Sequence, residues 1–198
     1  MKILVTNDDG VRAEGIKLLV EKLIPYAEKI TVVAPLTEKS ATSHAINIKD
    51  GVTYQELEDI HPGVKTYAIE ATPADCVLFA TYVLNIDYDV VFSGVNKGYN
   101  IADDIIYSGT VSAAKEAVLK GKKGVAISCK NDNFEALNSF SLVMDYILDS
   151  PLFNEKVVIN VNIPRNAKGI KITHQAKSTY GVYYIKKEDG LYYSNCDR

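Results

Sequence analysis

The sequence has few cysteines, and their arrangement excludes two kinds of site. Three occur in 198 residues, Cys76, Cys129 and Cys196, and no two of them form a Cys-x-x-Cys pair. An odd number of widely spaced cysteines argues against a zinc centre and against a disulfide framework. We therefore expect reduced thiols in a cytoplasmic protein.

An excess of positive charge is also missing. The chain has 22 basic and 25 acidic residues, a formal net charge of −3 and a pI of about 5.7. Without an overall basic field, binding of a DNA or RNA duplex is not expected, although a small anion can still be bound locally.

Long hydrophobic runs are absent as well. The N-terminal run covers only Met1–Val5 before the polar residues begin, which is far shorter than the core of a signal peptide or a membrane span. No low-complexity segment, internal repeat or linker divides the chain. We expect a single domain over residues 1–198 that is not inserted in a membrane, because a chain of this length with 47% hydrophobic residues can bury a sizeable core.

Short apolar runs alternate with helical patterns along most of the chain. The apolar runs lie at 2–6, 30–34, 89–93, 125–128 and 157–161, and the helical patterns at 16–24, 74–84, 110–120 and 133–148. This alternation predicts a parallel sheet with helices on both faces. The predicted fold class is α/β, a doubly wound, Rossmann-like domain with a mostly parallel sheet.

Two regions interrupt the alternation. The first contains β-like stretches at 45–48 and 66–69, and the second is a Tyr-rich tail from Tyr180 to Tyr193 with Gly190 in its centre. The tail predicts a C-terminal β-hairpin. We expect residues from about 175 to 198 to form an arm that contacts another subunit.

Two adjacent aspartates, Asp8 and Asp9, follow the first predicted strand. Open α/β sheets bind ligands outside the carboxyl ends of their strands, so a site is expected here. A divalent cation would explain why two repelling carboxylates lie together, and oxygen ligands suit Mg²⁺ or Mn²⁺ better than zinc. An Asx turn followed by a capped helix would explain the same residues without a ligand.

Two further loops at the same predicted edge carry polar groups. The loop after the strand at 89–92 contains Asn96, whose amide oxygen could bind a cation. Ser108-Gly109-Thr110 precedes a helix, where free N–H groups and the helix dipole could hold a phosphate. Taken alone, the segment around Asn96 is compatible with an ordinary loop, and Ser108-Gly109-Thr110 is compatible with a plain Ser or Thr cap of a helix.

The loop after the second strand carries Ser40 and His44. The hydroxyl could reach a metal and the imidazole could move a proton, while a solvated loop is the simpler interpretation of both. The convergence of all these groups on one sheet edge favours a site for phosphoryl chemistry.

At these residues the sequence resembles the SurE (survival protein E) family of nucleotidases. Five family motifs occur in order, namely Asn7-Asp8-Asp9-Gly10, Ala34-Pro35 with Ser40, Thr72-Pro73-Ala74-Asp75-Cys76-Val77, Ser93 to Asn100 and Tyr107 to Val111. The resemblance extends from Met1 to about Pro164 and is weaker beyond it.

The resemblance implies a metal-dependent phosphohydrolase that acts on nucleoside 5′-monophosphates, with 3′-monophosphates as further candidates, by metal-assisted attack of water. It implies a homodimer or homotetramer with one divalent cation per subunit, Mg²⁺ or Mn²⁺. The cation ligands would be Asp8, Asp9, Ser40 and Asn96, and the phosphate would lie near Asn96, Ser108, Gly109 and Thr110. Asp8 or Asp9 would position or deprotonate the water.

Two departures from the family pattern leave details open. Leu36–Ala41 replaces the usual Asp-x-Asn-Gln-Ser-Gly and keeps only Ser40 of the ligand region, so the substrate preference is not defined. The family's Gly-Tyr-x-Ser-x-Thr-Pro segment does not occur within residues 1–198, and the resemblance does not choose between a dimer and a tetramer.

Two other functions compete with this one. A haloacid-dehalogenase-type phosphatase needs an Asp-x-Asp pair, but Asn7 lies two residues before Asp9 and Gly10 two residues after Asp8. A non-catalytic nucleotide- and metal-binding regulatory protein of the same fold stays open. The chain has no G-x-G-x-x-G after the first strand, so an oxidoreductase is not expected.

Overall fold

A computed structural model describes residues 1–130, 134–178 and 182–196. The strands are β1 Lys2–Thr6, β2 Lys29–Pro35, β3 Tyr54–Leu57, β4 Lys65–Ile69, β5 Val90–Lys97, β6 Lys123–Cys129, β7 Val158–Ile163, β8 Val182–Lys186 and β9 Tyr192–Cys196. The helices are α1 Glu14–Leu23, α2 Pro73–Tyr82, α3 Asp104–Tyr107, α4 Gly109–Leu119 and α5 Phe140–Asp149, with 3-10 turns at Ile24–Tyr26, Phe134–Ser139 and Pro151–Asn154.

Seven strands form one sheet in the order β3-β4-β2-β1-β5-β6-β7. All neighbours are parallel except β3, which pairs antiparallel with β4 at the edge. The strand order reverses at β1, because the chain moves to β2 on one side and later to β5 on the other. The crevice outside the carboxyl ends of β1 and β5 is therefore the place where doubly wound folds bind ligands. The predicted fold class is confirmed.

The first strand is buried on both faces, and its side chains alternate between two apolar cores. Ile3 and Val5 pack in one core with residues of α1 and α5, while Leu4 packs in the other with residues of α2 and α4. None of the three is more than 2% exposed, and full burial of such a side chain contributes about 1.5–3 kcal/mol. The two cores together fix the end of β1 and the turn that follows it.

The segment 45–48 was predicted to be β-like and is a loop instead. Backbone groups of this loop form hydrogen bonds with side chains at the start of α2. The hydroxyl of Thr72, which caps the helix, donates to the Ala45 carbonyl oxygen, and Asn47 N–H donates to the Asp75 carboxylate. The edge strand β3 was not predicted, because its side chains are mostly exposed and show no apolar alternation.

The helix predicted at 133–148 is divided into a 3-10 turn and α5. Asn133, where the prediction began, lies outside the described residues.

The strand β5 continues four residues beyond its predicted end. A bulge between Ser93 and Asn96 shifts its pairing with β6, and the strand then runs on to Lys97. Gly94 interrupts the apolar run in the sequence but is needed here, because a Cβ at this position would collide with the Ile127 carbonyl oxygen. Asn96 therefore lies on a strand rather than in a free loop.

The predicted C-terminal hairpin is confirmed. The strands β8 and β9 pair antiparallel, and Gly190 in the turn between them has a φ of 81°. Residues 179–181, which include the predicted start at Tyr180, and residues 197–198 lie outside the described part of the chain. No helix that the structure describes is long and apolar enough to cross a membrane.

A close approach of α4 to the sheet gives a test of the fold. A Cβ on Gly124 in β6 would collide with the Ala114 carbonyl oxygen of α4. We expect Gly124→Ala to lower the free energy of unfolding by about 1–3 kcal/mol, measured by urea denaturation. Gly51→Ala is the control, because no atom lies within 4 Å of its new Cβ. Equal stability of the two variants would contradict this packing.

Candidate metal and phosphate site

The first strand ends in a tight turn that presents the two adjacent carboxylates. Asn7 Nδ2 donates to the Gly10 carbonyl oxygen at 2.8 Å. Gly10 has a φ of 99°, which favours glycine, and a Cβ here would lie 3.4 Å from the Thr37 carbonyl carbon. The turn, rather than a continued strand, therefore sets the directions of Asp8 and Asp9.

The carboxylate of Asp8 is held by the first turn of α4. Thr110 Oγ1 donates to Asp8 Oδ1 at 2.6 Å, and Thr110 N–H donates to Oδ2 at 3.1 Å. Asp8 is 4% exposed, and this burial raises its pKa while the bonds from Thr110 lower it. The sequence interpretation placed Asp8 with the cation and Thr110 with the phosphate, and the structure brings these two residues into direct contact.

Gly109 allows this contact. A Cβ at Gly109 would lie 2.9 Å from Asp8 Cβ and 3.1 Å from Asp8 Oδ2, so any side chain would push the helix away from the carboxylate. Ser108 caps α4, since its Oγ accepts a hydrogen bond from Val111 N–H at 3.1 Å. The Ser108 hydroxyl and the Thr110 N–H are thus already engaged. Within the described residues, Gly109 N–H has no partner and is the donor left for an anion.

Asp9 is half-buried and carries an unpaired oxygen. Its Oδ2 is buried and accepts no hydrogen bond from any residue that the structure describes. The pKa of Asp9 is raised to about 6, first by burial and then by the negative charges of Asp8 and Glu38, with Lys97 acting in the opposite direction. A buried carboxylate oxygen without a partner is costly, and a divalent cation would supply the partner. The residues present therefore fit such an ion.

The loop after β2 reaches the aspartates through its backbone. Lys39 N–H donates to the Asp8 carbonyl oxygen at 2.7 Å. The neighbouring Ser40 is exposed, and its hydroxyl donates to Glu38 Oε1 at 2.7 Å instead of lying free for a cation. Glu38 was missed in the sequence interpretation. Its negative charge raises the pKa of both aspartates.

Asn96 lies at the end of β5, on the strand next to β1. Its Nδ2 donates to the Gly98 carbonyl oxygen at 2.7 Å. This bond engages the amide nitrogen and leaves Oδ1 as the atom that could bind a cation. In the described part of the chain, no three side chains of His, Cys, Asp or Glu are placed to share a metal ion. Neutral oxygens would have to complete the coordination, as Mg²⁺ and Mn²⁺ permit.

Two other polar residues of the recognised motifs hold the scaffold together. Asn100 is buried, and its side chain donates to Ser128 Oγ at 2.8 Å. Asp75 is also buried and accepts from Asn47 N–H at 3.0 Å and from Thr72 N–H at 3.1 Å. These hydrogen bonds fasten the loops that contain Asn47 and Asn100 to the scaffold.

Replacement of Asp9 by Asn tests whether the half-buried negative charge of Asp9 destabilises the metal-free protein. The pKa of Asp9 is higher in the folded protein than its ordinary value near 4. The metal-free protein is therefore expected to lose stability as the pH rises through about 6. We expect Asp9→Asn to raise the melting temperature in EDTA at about pH 8, where the carboxylate is charged, and to change it little at about pH 4.5.

Addition of Mn²⁺ should make the unmodified protein more stable than the Asp9→Asn variant. The cation should raise the melting temperature of the unmodified protein but not that of Asp9→Asn, because ligand binding stabilises only a fold that binds. Asp59→Asn, at an exposed carboxylate, should respond to Mn²⁺ as the unmodified protein does. A rise in the melting temperature of Asp9→Asn on addition of Mn²⁺, as large as that of the unmodified protein, would contradict the proposed cation site.

The comparisons with known proteins agree on one family. The model of the family described as "Survival protein SurE" matches residues 3–182. A relative named "5′-nucleotidase SurE" from Kosmotoga olearia is 41% identical over 201 residues, covering 96% of this chain and 77% of the relative. One of the same name from Clostridium botulinum (strain Alaska E43 / Type E3) is 38% identical over 200 residues, covering 96% and 79%.

A solved structure is also similar. The crystal structure of the Sure protein from Aquifex aeolicus has a TM-score of 0.80 and 30% sequence identity, and the match covers 99% of this chain and 82% of that one. The resemblance that the motifs indicated is thereby confirmed, and this chain belongs to the SurE family.

Proposed function

We propose that this protein is a metal-dependent 5′-nucleotidase that hydrolyses nucleoside monophosphates to a nucleoside and phosphate. The observation that carries the proposal is the contact between Asp8 and Thr110, which joins a carboxylate pair to a helix N-terminus at the switch point of the sheet. Relatives named 5′-nucleotidase SurE support the same activity. The 3′-monophosphates are further candidate substrates.

Asp8, Asp9, Ser40 and Asn96 would hold one divalent cation, Mg²⁺ or Mn²⁺. When bound, the cation neutralises phosphate charge and activates water. Asp9 supplies the unpaired oxygen Oδ2, and Asn96 supplies Oδ1. Ser40 has to exchange its bond to Glu38 for the cation, which makes it the ligand that depends most on the local conformation.

The phosphate binds at the start of α4. Gly109 N–H donates to a phosphate oxygen, and the positive end of the helix dipole favours the negative charge. Thr110 holds Asp8 in place and Ser108 maintains the first turn, so these two residues support the phosphate position. Asp9 orients the attacking water, because the oxygens of Asp8 already accept bonds from Thr110.

Phosphate release from a panel of nucleoside monophosphates in Mg²⁺ and in Mn²⁺ tests the proposal. We expect release with at least one metal and none in EDTA. Asp8→Asn removes a cation ligand and should lower kcat/KM by about 10³-fold or more, since such an ion contributes several kcal/mol.

Asp59→Asn is the matched control, because it removes an exposed carboxylate far along the chain from the turn. It should keep full activity. Tight binding of a nucleotide and metal without any phosphate release would instead support a regulatory protein that has kept the fold.

The hairpin of β8 and β9 serves as the arm that joins subunits in a homodimer or homotetramer. Tyr184 and Tyr192 lie on one face of this hairpin and are 68% and 65% exposed. Exposed aromatic side chains grouped in this way favour a protein–protein contact. The free, buried thiols of Cys76 and Cys129 are compatible with a cytoplasmic protein.

Light scattering after size-exclusion chromatography tests the arm. We expect the unmodified protein to have the mass of a dimer or tetramer and the double variant Tyr184→Ser/Tyr192→Ser to shift toward the monomer. Tyr82→Ser removes a tyrosine that is 64% exposed on α2 and should leave the mass unchanged. A double variant of unchanged mass would contradict this role.

A further inference from the structure

His44 belongs to the loop after β2 but not to the proposed cation site. Ser43 N–H donates to the Tyr107 carbonyl oxygen at 2.9 Å, which fixes this loop beside the residue that precedes the cap of α4. Ser43 has a φ of 53°, so the chain turns sharply just before His44. The backbone of His44 is thus held near the first turn of α4.

The imidazole of His44 is paired with a buried carboxylate. His44 Nε2 lies 2.8 Å from Glu116 Oε2, and the Glu116 side chain is 7% exposed. Lys120 Nζ lies 3.3 Å from the other oxygen of Glu116. A buried carboxylate needs hydrogen-bond donors, so this pair keeps a proton on Nε2. Within the part of the chain that the structure describes, Nδ1 makes no hydrogen bond.

The position of Glu116 places the imidazole beside the first turns of α4. Glu116 lies six residues after Thr110, a rise of about 9 Å along the helix. Helical side chains lean toward the N-terminus, so the carboxylate of Glu116 lies above the turn that precedes it. The imidazole bridges the distance from this carboxylate to the loop at Tyr107. Nδ1 is bonded to Cγ, so it lies nearer than Nε2 to the His44 backbone, which is held beside Tyr107 and the cap of α4.

We infer that His44 is the general acid of the reaction, an assignment that rests on the proposed function. The oxygen of water forms a bond to phosphorus while the bond from phosphorus to the ribose oxygen breaks. The proton on Nδ1 of the His44 imidazolium passes to that ribose oxygen and yields the free nucleoside hydroxyl. The proton of the attacking water passes to solvent, and His44 regains a proton from solvent.

Glu116 is a positioning residue in this scheme. It holds Nε2 through a hydrogen bond and so fixes the orientation of the ring, which leaves Nδ1 as the nitrogen that transfers the proton. The relation is that of a carboxylate that orients a catalytic histidine.

Substrates with different leaving groups test the inference in the full chain with Mn²⁺ or Mg²⁺. A ribose oxygen leaves poorly without a proton, whereas p-nitrophenolate leaves readily without one. We expect His44→Gln to lower kcat for a nucleoside 5′-monophosphate by about 10²–10⁴-fold and to change kcat for p-nitrophenyl phosphate little. Glu116→Gln should give a smaller loss with the same dependence on the leaving group.

His61→Gln is the matched control, because within the described residues the ring of His61 forms a hydrogen bond only with the Pro62 carbonyl oxygen, at 3.3 Å. It should leave both substrates unaffected. Equal losses of His44→Gln on both substrates would indicate a loop contact alone and would overturn the inference, as would no loss at all. If the unmodified protein releases no phosphate from any nucleoside monophosphate, the proposed function fails and this assignment fails with it.

Discussion

The hydrogen bonds from Thr110 to Asp8 are the interaction on which the site depends. They join the turn after β1 to the start of α4 across 102 residues of sequence. Without them, the carboxylate pair and the helix N-terminus would be two separate features at one sheet edge. With them, a cation held by the aspartates and an anion held by α4 would lie side by side, which is the arrangement that phosphate ester hydrolysis needs.

Close backbone approaches make this arrangement possible. Gly109 allows α4 to contact Asp8, and Gly124 allows α4 to pack closely on β6. Gly94 allows the backbone of β5 to lie close to that of β6 just before Asn96. At each position a Cβ would meet atoms that have little freedom to move. The site is therefore placed by the packing of the scaffold as much as by its polar residues.

The same packing raises the electrostatic cost of the site. Burial brings Asp8 and Asp9 together with few hydrogen-bond donors, and the pKa of both carboxylates is raised as a result. A structure selected for stability alone would not keep an unpaired buried oxygen such as Asp9 Oδ2. Uncompensated groups of this kind are typical of functional sites, where a ligand completes the set of contacts.

The sequence by itself determined the α/β class and the family, and it predicted a site at the end of β1. Apolar runs, helical spacing and strand-to-loop exits follow from local chain geometry and can be recognised without coordinates. It did not determine the edge strand β3, whose mostly exposed side chains show no apolar alternation. Nor did it determine the end of β5, because Gly94 interrupts the apolar run at a bulge and the strand continues beyond it. Only the tertiary structure decided that Thr110 holds Asp8, that Ser40 is bonded to Glu38 and that Glu116 holds His44. The Asp8 and His44 contacts join residues more than 70 positions apart and depend on how α4 packs at the sheet edge, which no local pattern records. The Ser40 contact joins residues two positions apart, and only the conformation of the loop after β2 brings the two side chains together.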